Sequence, residues 1–185
     1  MIYRNATLTD ISAISELQNK YHVSTISETD KPDGFVTTLF TESNFEELIT
    51  EENGIALACD GDRIAAYVMA ASWSYWSKWP LFAYMISDLH KMQYMGLTLS
   101  LQNSYQYGPI CIDKDYRGTE VLKKIFNFSR EQMNKRYPIL ITFINHVNPR
   151  SYEAHTRKLG LDVIKSFPFN NNNYYALGYD TAKEV

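Results

Sequence analysis

Residues 138–145, Pro-Ile-Leu-Ile-Thr-Phe-Ile-Asn, run apolar without polar alternation, the pattern of a strand covered on both faces. Ahead of them, residues from Thr119 to about Arg136 set Val121, Leu122, Ile125, Phe126, Ser129 and Met133 along one helical face. Lys123, Lys124, Arg130 and Lys135 fall on the other. Before this helix stands Tyr-Gly-Pro-Ile-Cys-Ile, residues 107–112, a second strand. Strand, helix and strand in that order make a crossover, so 107–112 and 138–145 are expected to be parallel neighbours in one sheet.

Shorter elements surround this unit. Ile2–Ala6 reads as a strand, and Asp10 caps a helix with Ile11, Ile14, Leu17 and Tyr21 at helical spacing. Ser43 with Glu46 offers a capping box ahead of Phe45, Leu48 and Ile49. Two apolar runs about Asp60-Gly61 predict a hairpin. Later, Asn148 caps a helix with Pro149 at its first position and Gly160 at its end. Residues 162–180 read as two strands across an Asn-rich turn. The expected fold class is α/β (α+β): a central mixed sheet, mostly antiparallel with one splayed parallel pair, and helices on both faces. No linker or repeat interrupts the chain, so residues 1–185 are expected to form one domain.

Composition narrows the partners. With 45% hydrophobic residues the chain can build a real core, and a formal net charge of −3 without a basic run gives no footprint for nucleic acid. No stretch approaches the roughly eighteen apolar residues of a membrane helix, and the N-terminus lacks a signal-like pattern. A cytoplasmic location without a membrane partner is therefore expected. Cys59 and Cys111 have neither metal-ligand nor disulfide spacing; they read as buried free thiols, and no metal site is expected.

The segment Ile-Asp-Lys-Asp-Tyr-Arg-Gly-Thr-Glu-Val, residues 112–121, joins the first parallel strand to its helix. Pro109 has no N–H for a central ladder and Gly108 tolerates unusual backbone angles, so the strand should bulge and splay from its neighbour. Splaying frees peptide edges of Ile110, Cys111 and Ile112 for an extended, amide-containing ligand. The helix that follows directs unpaired N–H groups and its positive dipole end the same way, which suits an anion.

A strand that offers peptides to a pantetheine arm, followed by a helix N-terminus for a pyrophosphate, resembles the GNAT superfamily of N-acetyltransferases. Tyr3–Leu17 is similar to the family's opening segment, Tyr107–Phe126 to its acetyl-CoA motif, and Asn148–Leu161 to its following helix. The resemblance implies acetyl-CoA as co-substrate, held by Ile110, Cys111, Ile112, Arg117, Gly118, Thr119, Glu120, Val121, Leu122 and Asn148. The family's phosphate signature is Gln/Arg-x-x-Gly-x-Gly/Ala, whereas Asp115-Tyr116-Arg117-Gly118-Thr119-Glu120 keeps only Gly118. A Glu120 carboxylate about 5 Å from a phosphate at an effective dielectric near 20 would cost roughly 3 kcal/mol, and below about 1 kcal/mol when turned to water.

The implied reaction is acetyl transfer to an amine by direct attack in a ternary complex. Many relatives place a carboxylate base on the strand before this point, but Ser-Tyr-Gln-Tyr-Gly-Pro, residues 104–109, contains none. For the acid, the family spacing from Asn148 selects His155, with Tyr152 second. The helix carries one extra residue, since His155 lies five before Gly160 where relatives have four.

Nine of the 26 aromatics fall in residues 73–107, where an even spread would give about five. This aromatic-rich insertion, about 72–106, is expected to hold the acceptor, with Trp73, Trp76, Tyr84 and Tyr107 as substrate-binding residues. Pro80 starts a helix whose outer face presents Tyr84, Asp88 and Lys91, and Asp88 or His90 could replace the missing base. Extra core or a homodimer surface would use the same aromatics. A non-catalytic acyl-CoA-binding or sensor module is the alternative function for the same fold.

Overall fold

In the computed structural model, which describes residues 1–185, Gly61 (φ +58°) turns the chain between β2 (Ile55–Asp60) and β3 (Arg63–Ala71), an antiparallel hairpin. β1 (Ile2–Asn5) lies antiparallel to β2. α1 (Ile11–Tyr21) and α2 (Glu42–Glu52) bury Ile14, Leu17, Phe45 and Leu48, the apolar positions of their 3.6-residue period. The Gln18 amide donates to Phe40 O at 3.0 Å and accepts from Phe40 N–H at 2.9 Å, so its burial leaves both of its polar ends paired.

Two caps differ from the sequence expectation. The capping box of α2 is Thr41 with Asn44, because Ser43 is already the second residue of the helix. Asp10 precedes α1, but Arg4 takes its carboxylate at 2.7 and 2.8 Å and Thr7 N–H donates to it at 2.8 Å. That Arg4 fork holds the Asp10 carboxyl down at about 2.

Seven strands form the sheet in the order β1-β2-β3-β6-β7-β9-β8, with β6 at Ser104–Ile112, β7 at Ile139–Asn145, β8 at Asp162–Phe169 and β9 at Asn172–Asp180. β6 and β7 are parallel, as the crossover requires, and the other pairings given by register are antiparallel. Asn170 and Asn171, both at positive φ, close the β8–β9 hairpin. Cys59 and Cys111 are free and buried, and no helix is long and apolar enough to cross a membrane.

The chain groups into two units, Met1–Ala70 with Gly108–Ser129, and Ala71–Tyr107 with Arg130–Val185. The insertion supplies α3 (Trp73–Trp76), α4 (Pro80–Asp88) and a small hairpin of β4 (Gln93–Tyr94) and β5 (Leu97–Thr98), and its last residues already belong to β6. α5 spans Val121–Asn134, two residues short of the expected range at each end. Arg130 is buried and donates to Thr181 O at 2.6 Å, contrary to its expected outward face. It lies one turn beyond Phe126 and shares that inward side with Met133.

After β7 comes α6 (Pro149–Glu153), which continues into a single π turn, Ala154–Lys158. Leu159 N–H reaches back five residues to Ala154 O at 3.1 Å. The extra residue read from the sequence is absorbed there, before Gly160 ends the helix at φ +74°.

Candidate functional site

The β6–β7 ladder runs only from Ser104↔Ile139 to Gln106↔Ile141, although β6 continues to Ile112. Gly108 sits at φ +100° just past the last rung, and Pro109 has no N–H to extend it. Further on, Asp113 N–H bonds Ala65 O of β3 at 2.8 Å. Strand alternation then turns the Cys111 peptide toward β3 and those of Ile110 and Ile112 away from it. Of the three peptides expected to be offered together, Cys111 is directed to the opposite edge. Its thiol is pushed up to about 12 by burial.

The corner after β6 is braced from behind. Asp113 is buried and accepts from Lys20 and Arg63 at 2.9 Å each, and from Asp115 N–H at 3.2 Å. Burial alone would raise its pKa; the bonds from Lys20, Asp115 N–H and Arg63 outweigh it, and the net shift is downward. Arg117 donates to Ile112 O at 2.9 Å and Asp33 O at 2.8 Å, with its guanidinium 4.6 Å from the centre of the Tyr21 ring. It thus knits the corner to α1 and to residue 33. No local sequence pattern signals this bracing, since Lys20, Arg63 and Asp113 meet only in the fold.

Gly118 adopts φ +81°, and a Cβ placed there would meet nothing within 4 Å. Its left-handed backbone, rather than crowding, is what favours glycine. Thr119 Oγ1 donates to Tyr116 O at 2.6 Å and lies 3.3 Å from Val121 N–H. The first helical bond is Lys124 N–H to Glu120 O at 3.0 Å, so the N–H groups of the first turn lie outside the helical pattern. Val121 is buried, Leu122 half-buried, and Glu120 exposed. The Tyr3 phenol is raised first by burial and then by the Glu120 charge.

In the other unit, His155 is 5% exposed and its Nδ1 donates to Ser151 O at 2.8 Å. A carbonyl only accepts, so Nδ1 carries the hydrogen. Burial lowers the ring's pKa below its ordinary 6.5, against a smaller upward effect of the Ser151 bond. The ring is therefore neutral near pH 7 and Nε2 presents a lone pair, the reverse of the expected donor. Tyr107 is buried edge-on to His155, with ring centres 5.9 Å apart. Tyr152 rests half-buried against Tyr175 at 4.6 Å, and Asn148 Oδ1 is occupied by Ser151 N–H at 3.1 Å.

The expected aromatic wall is mostly interior. Trp73 and Trp76 are 0% exposed; Trp73 Nε1 donates to Ser104 Oγ at 3.0 Å, and Trp76 packs on Phe82 at 4.8 Å. Of the residues expected to bind substrate, only Tyr84, at 36%, offers a ring to solvent. Asp88, expected on the outer face, is buried between Lys165 and Lys91, and the Lys165 bond leads in holding its pKa down. A carboxylate so paired is a poor base. His90 is exposed.

Among solved structures, a ribosomal-protein-alanine N-acetyltransferase from Brucella melitensis matches with a TM-score of 0.64 at 14% identity, covering 97% of this chain and 99% of that one. An acetyltransferase of the GNAT family from Streptococcus pneumoniae matches with a TM-score of 0.63 at 15% identity, over 97% and 98%. A Salmonella typhimurium protein solved with its cofactor acetyl-CoA matches with 0.64 at 11% identity, over 97% and 93%. No protein-family model and no curated protein sequence matches the chain. The fold is that of the GNAT acetyltransferases.

Proposed function

We propose that the chain transfers an acetyl group from acetyl-CoA to an amine acceptor by direct attack in a ternary complex. The observation that carries this reading is the early end of the β6–β7 ladder at Gln106, followed along the same strand by the Ile110 peptide and then by the head of α5. Ile110 suits the amides of a pantetheine arm. The N–H groups of residues 118–123, backed by the braced corner, suit a pyrophosphate. Asn148 and Arg117 already serve the fold through their polar groups and enter as supports rather than as primary phosphate ligands.

In the reaction the amine nitrogen bonds to the thioester carbonyl carbon, the C–S bond breaks, and the thiolate takes a proton. Neutral His155, with its Nε2 lone pair, is suited to receive the amine's proton, and the Tyr152 hydroxyl to supply the thiolate's. The Ile110 N–H is the candidate to polarise the carbonyl oxygen. Calorimetric titration with acetyl-CoA, followed by an amine-library screen for released CoA thiol, tests the reading. Absence of saturable acetyl-CoA binding overturns it.

A second reading, a non-catalytic acyl-CoA-binding module, is favoured by one observation: no carboxylate lies between Ser104 and Ile112 of β6. Tight coenzyme binding without thiol release across the amine library would select it.

A further inference from the structure

His146 is the first residue past β7; it is exposed, and the reaction above makes no use of it. Its imidazole lies on the Tyr175 ring, with centres 3.8 Å apart and planes 25° apart. Tyr175 also meets Tyr152, the candidate acid, at 4.6 Å between centres and 41° between planes. One ring thus joins an exposed histidine to the hydroxyl that the chemistry needs.

The local chain explains why the histidine stands there. β7 and β9 pair Ile144 with Tyr175 and Asn145 with Tyr174, and His146 N–H carries the pairing one residue further by donating to Asn173 O at 2.9 Å. Residue 146 therefore shares a face with Ile144 and lies diagonal to Tyr175, within reach of a flat side chain. Asn145 fixes the turn from both sides: Nδ2 donates to Asn172 Oδ1 at 3.2 Å, and Oδ1 accepts from Val147 N–H at 3.2 Å. The backbone beneath the imidazole is held although the ring itself reaches solvent. Tyr152 is held differently. Its hydroxyl bonds to no group of the chain, so ring contacts rather than hydrogen bonds aim it, and Tyr175 is the ring it rests on.

We propose that His146 is a positioning residue: its imidazole, stacked on Tyr175, holds that ring against Tyr152 and keeps the Tyr152 hydroxyl aimed at the departing thiolate. The proposal rests on the acetyl-transfer reading for its chemistry. The phenol's hydrogen goes to sulfur, and the phenolate recovers one from water before the next turnover; His146 neither gives nor takes a proton. A ring without nitrogens therefore preserves the effect, and loss of the ring removes it. An aromatic stack shifts an equilibrium by up to about tenfold, and transfer from a misaimed donor is slower still.

The test uses the full chain, with acetyl-CoA and whichever amine of the library releases thiol fastest. His146→Ala should lower kcat about tenfold with KM for acetyl-CoA unchanged, and His146→Phe should restore it to within about twofold of the wild type. In the Tyr152→Phe background, His146→Ala should change kcat by less than about twofold, because the hydroxyl that it aims is gone. A loss in His146→Phe as large as in His146→Ala, or additive losses in the double variant, would overturn the proposal. Ring-proton NMR of the tyrosine-labelled chain reads the contact without turnover, with the Tyr152 signal identified by its absence from Tyr152→Phe. That signal should move in His146→Ala and keep its place in His146→Phe; an unmoved signal in His146→Ala refutes the stack. If the signal moves as expected and no amine releases thiol from the wild type, the acetyl-transfer reading falls and the stack on Tyr152 stands.

Discussion

The two helices that follow β6 and β7 begin in opposite ways. At the head of α6, Asn148 Oδ1 accepts from Ser151 N–H and Pro149 removes another donor. At the head of α5, the hydroxyl of Thr119 donates to Tyr116 O and accepts from Val121 N–H at 3.3 Å, and the space beside Gly118 is open. Where Pro149 removes one donor and Asn148 takes another, α6 has few N–H groups to offer; α5, with no proline in its first turn, keeps more of its donors together with the positive end of its dipole, which suits an anion. α5 is nonetheless well anchored, because Arg117 and Asp113 hold the chain behind it. Rigidity and capping are separable, and a helix end can be braced without being closed.

The strongest challenge to this division is His155→Ala. Turnover should fall by about a hundredfold or more while acetyl-CoA affinity stays nearly unchanged. A large loss of coenzyme affinity in calorimetry would make the α6 end a coenzyme site as well. Next, Gly118→Asp should weaken acetyl-CoA at least tenfold, about 1.4 kcal/mol. Gly118→Ala isolates the backbone part, roughly 1–2 kcal/mol of left-handed strain, without a clash; full retention of affinity in both variants moves the phosphates elsewhere.

Asn148→Ala sharpens the other side of the comparison. Loss of the cap should cost about 1 kcal/mol of stability, seen as a lower thermal midpoint, with coenzyme affinity preserved. Lost affinity without lost stability would return Asn148 to the coenzyme. A smaller effect concerns pH. His155 binds its proton more weakly folded than at the ordinary 6.5 of the unfolded chain. Its contribution to stability is therefore complete above pH 6.5 and is lost as pH falls through the folded value. The thermal midpoint should decline over that acid window, and His155→Gln should remove this part of the decline. Smallest of all, Glu120→Gln should change acetyl-CoA affinity by less than about threefold, because the carboxylate is exposed and screened.

Much of the architecture was legible because it rests on short-range patterns. The apolar run of β7, the face of α5, the Asp60-Gly61 hairpin and the Asn turn of β8–β9 each follow from periodicity or from a residue that tolerates positive φ. The cap of α2 lies two residues before the one its sequence suggests, since Thr41 and Ser43 are chemically equivalent caps and only the path of the preceding chain chooses between them. Periodicity sets Arg130 on an outward face and composition suggests a binding wall with Trp73 and Trp76, yet each is buried. A helical wheel or an aromatic count cannot tell which neighbours will close over a side chain.

By itself, then, the sequence determined the order of elements and the parallel pair, both governed by local backbone geometry, while the corner glycine and the extra residue after Asn148 stood out only through the resemblance to the GNAT family. The tertiary structure alone decided that this extra residue becomes a π turn, that His155 donates through Nδ1 to Ser151 O, and that Arg117 braces the corner. These are choices of partner and of burial. They depend on which distant groups arrive within hydrogen-bonding distance, and no spacing along the chain encodes that.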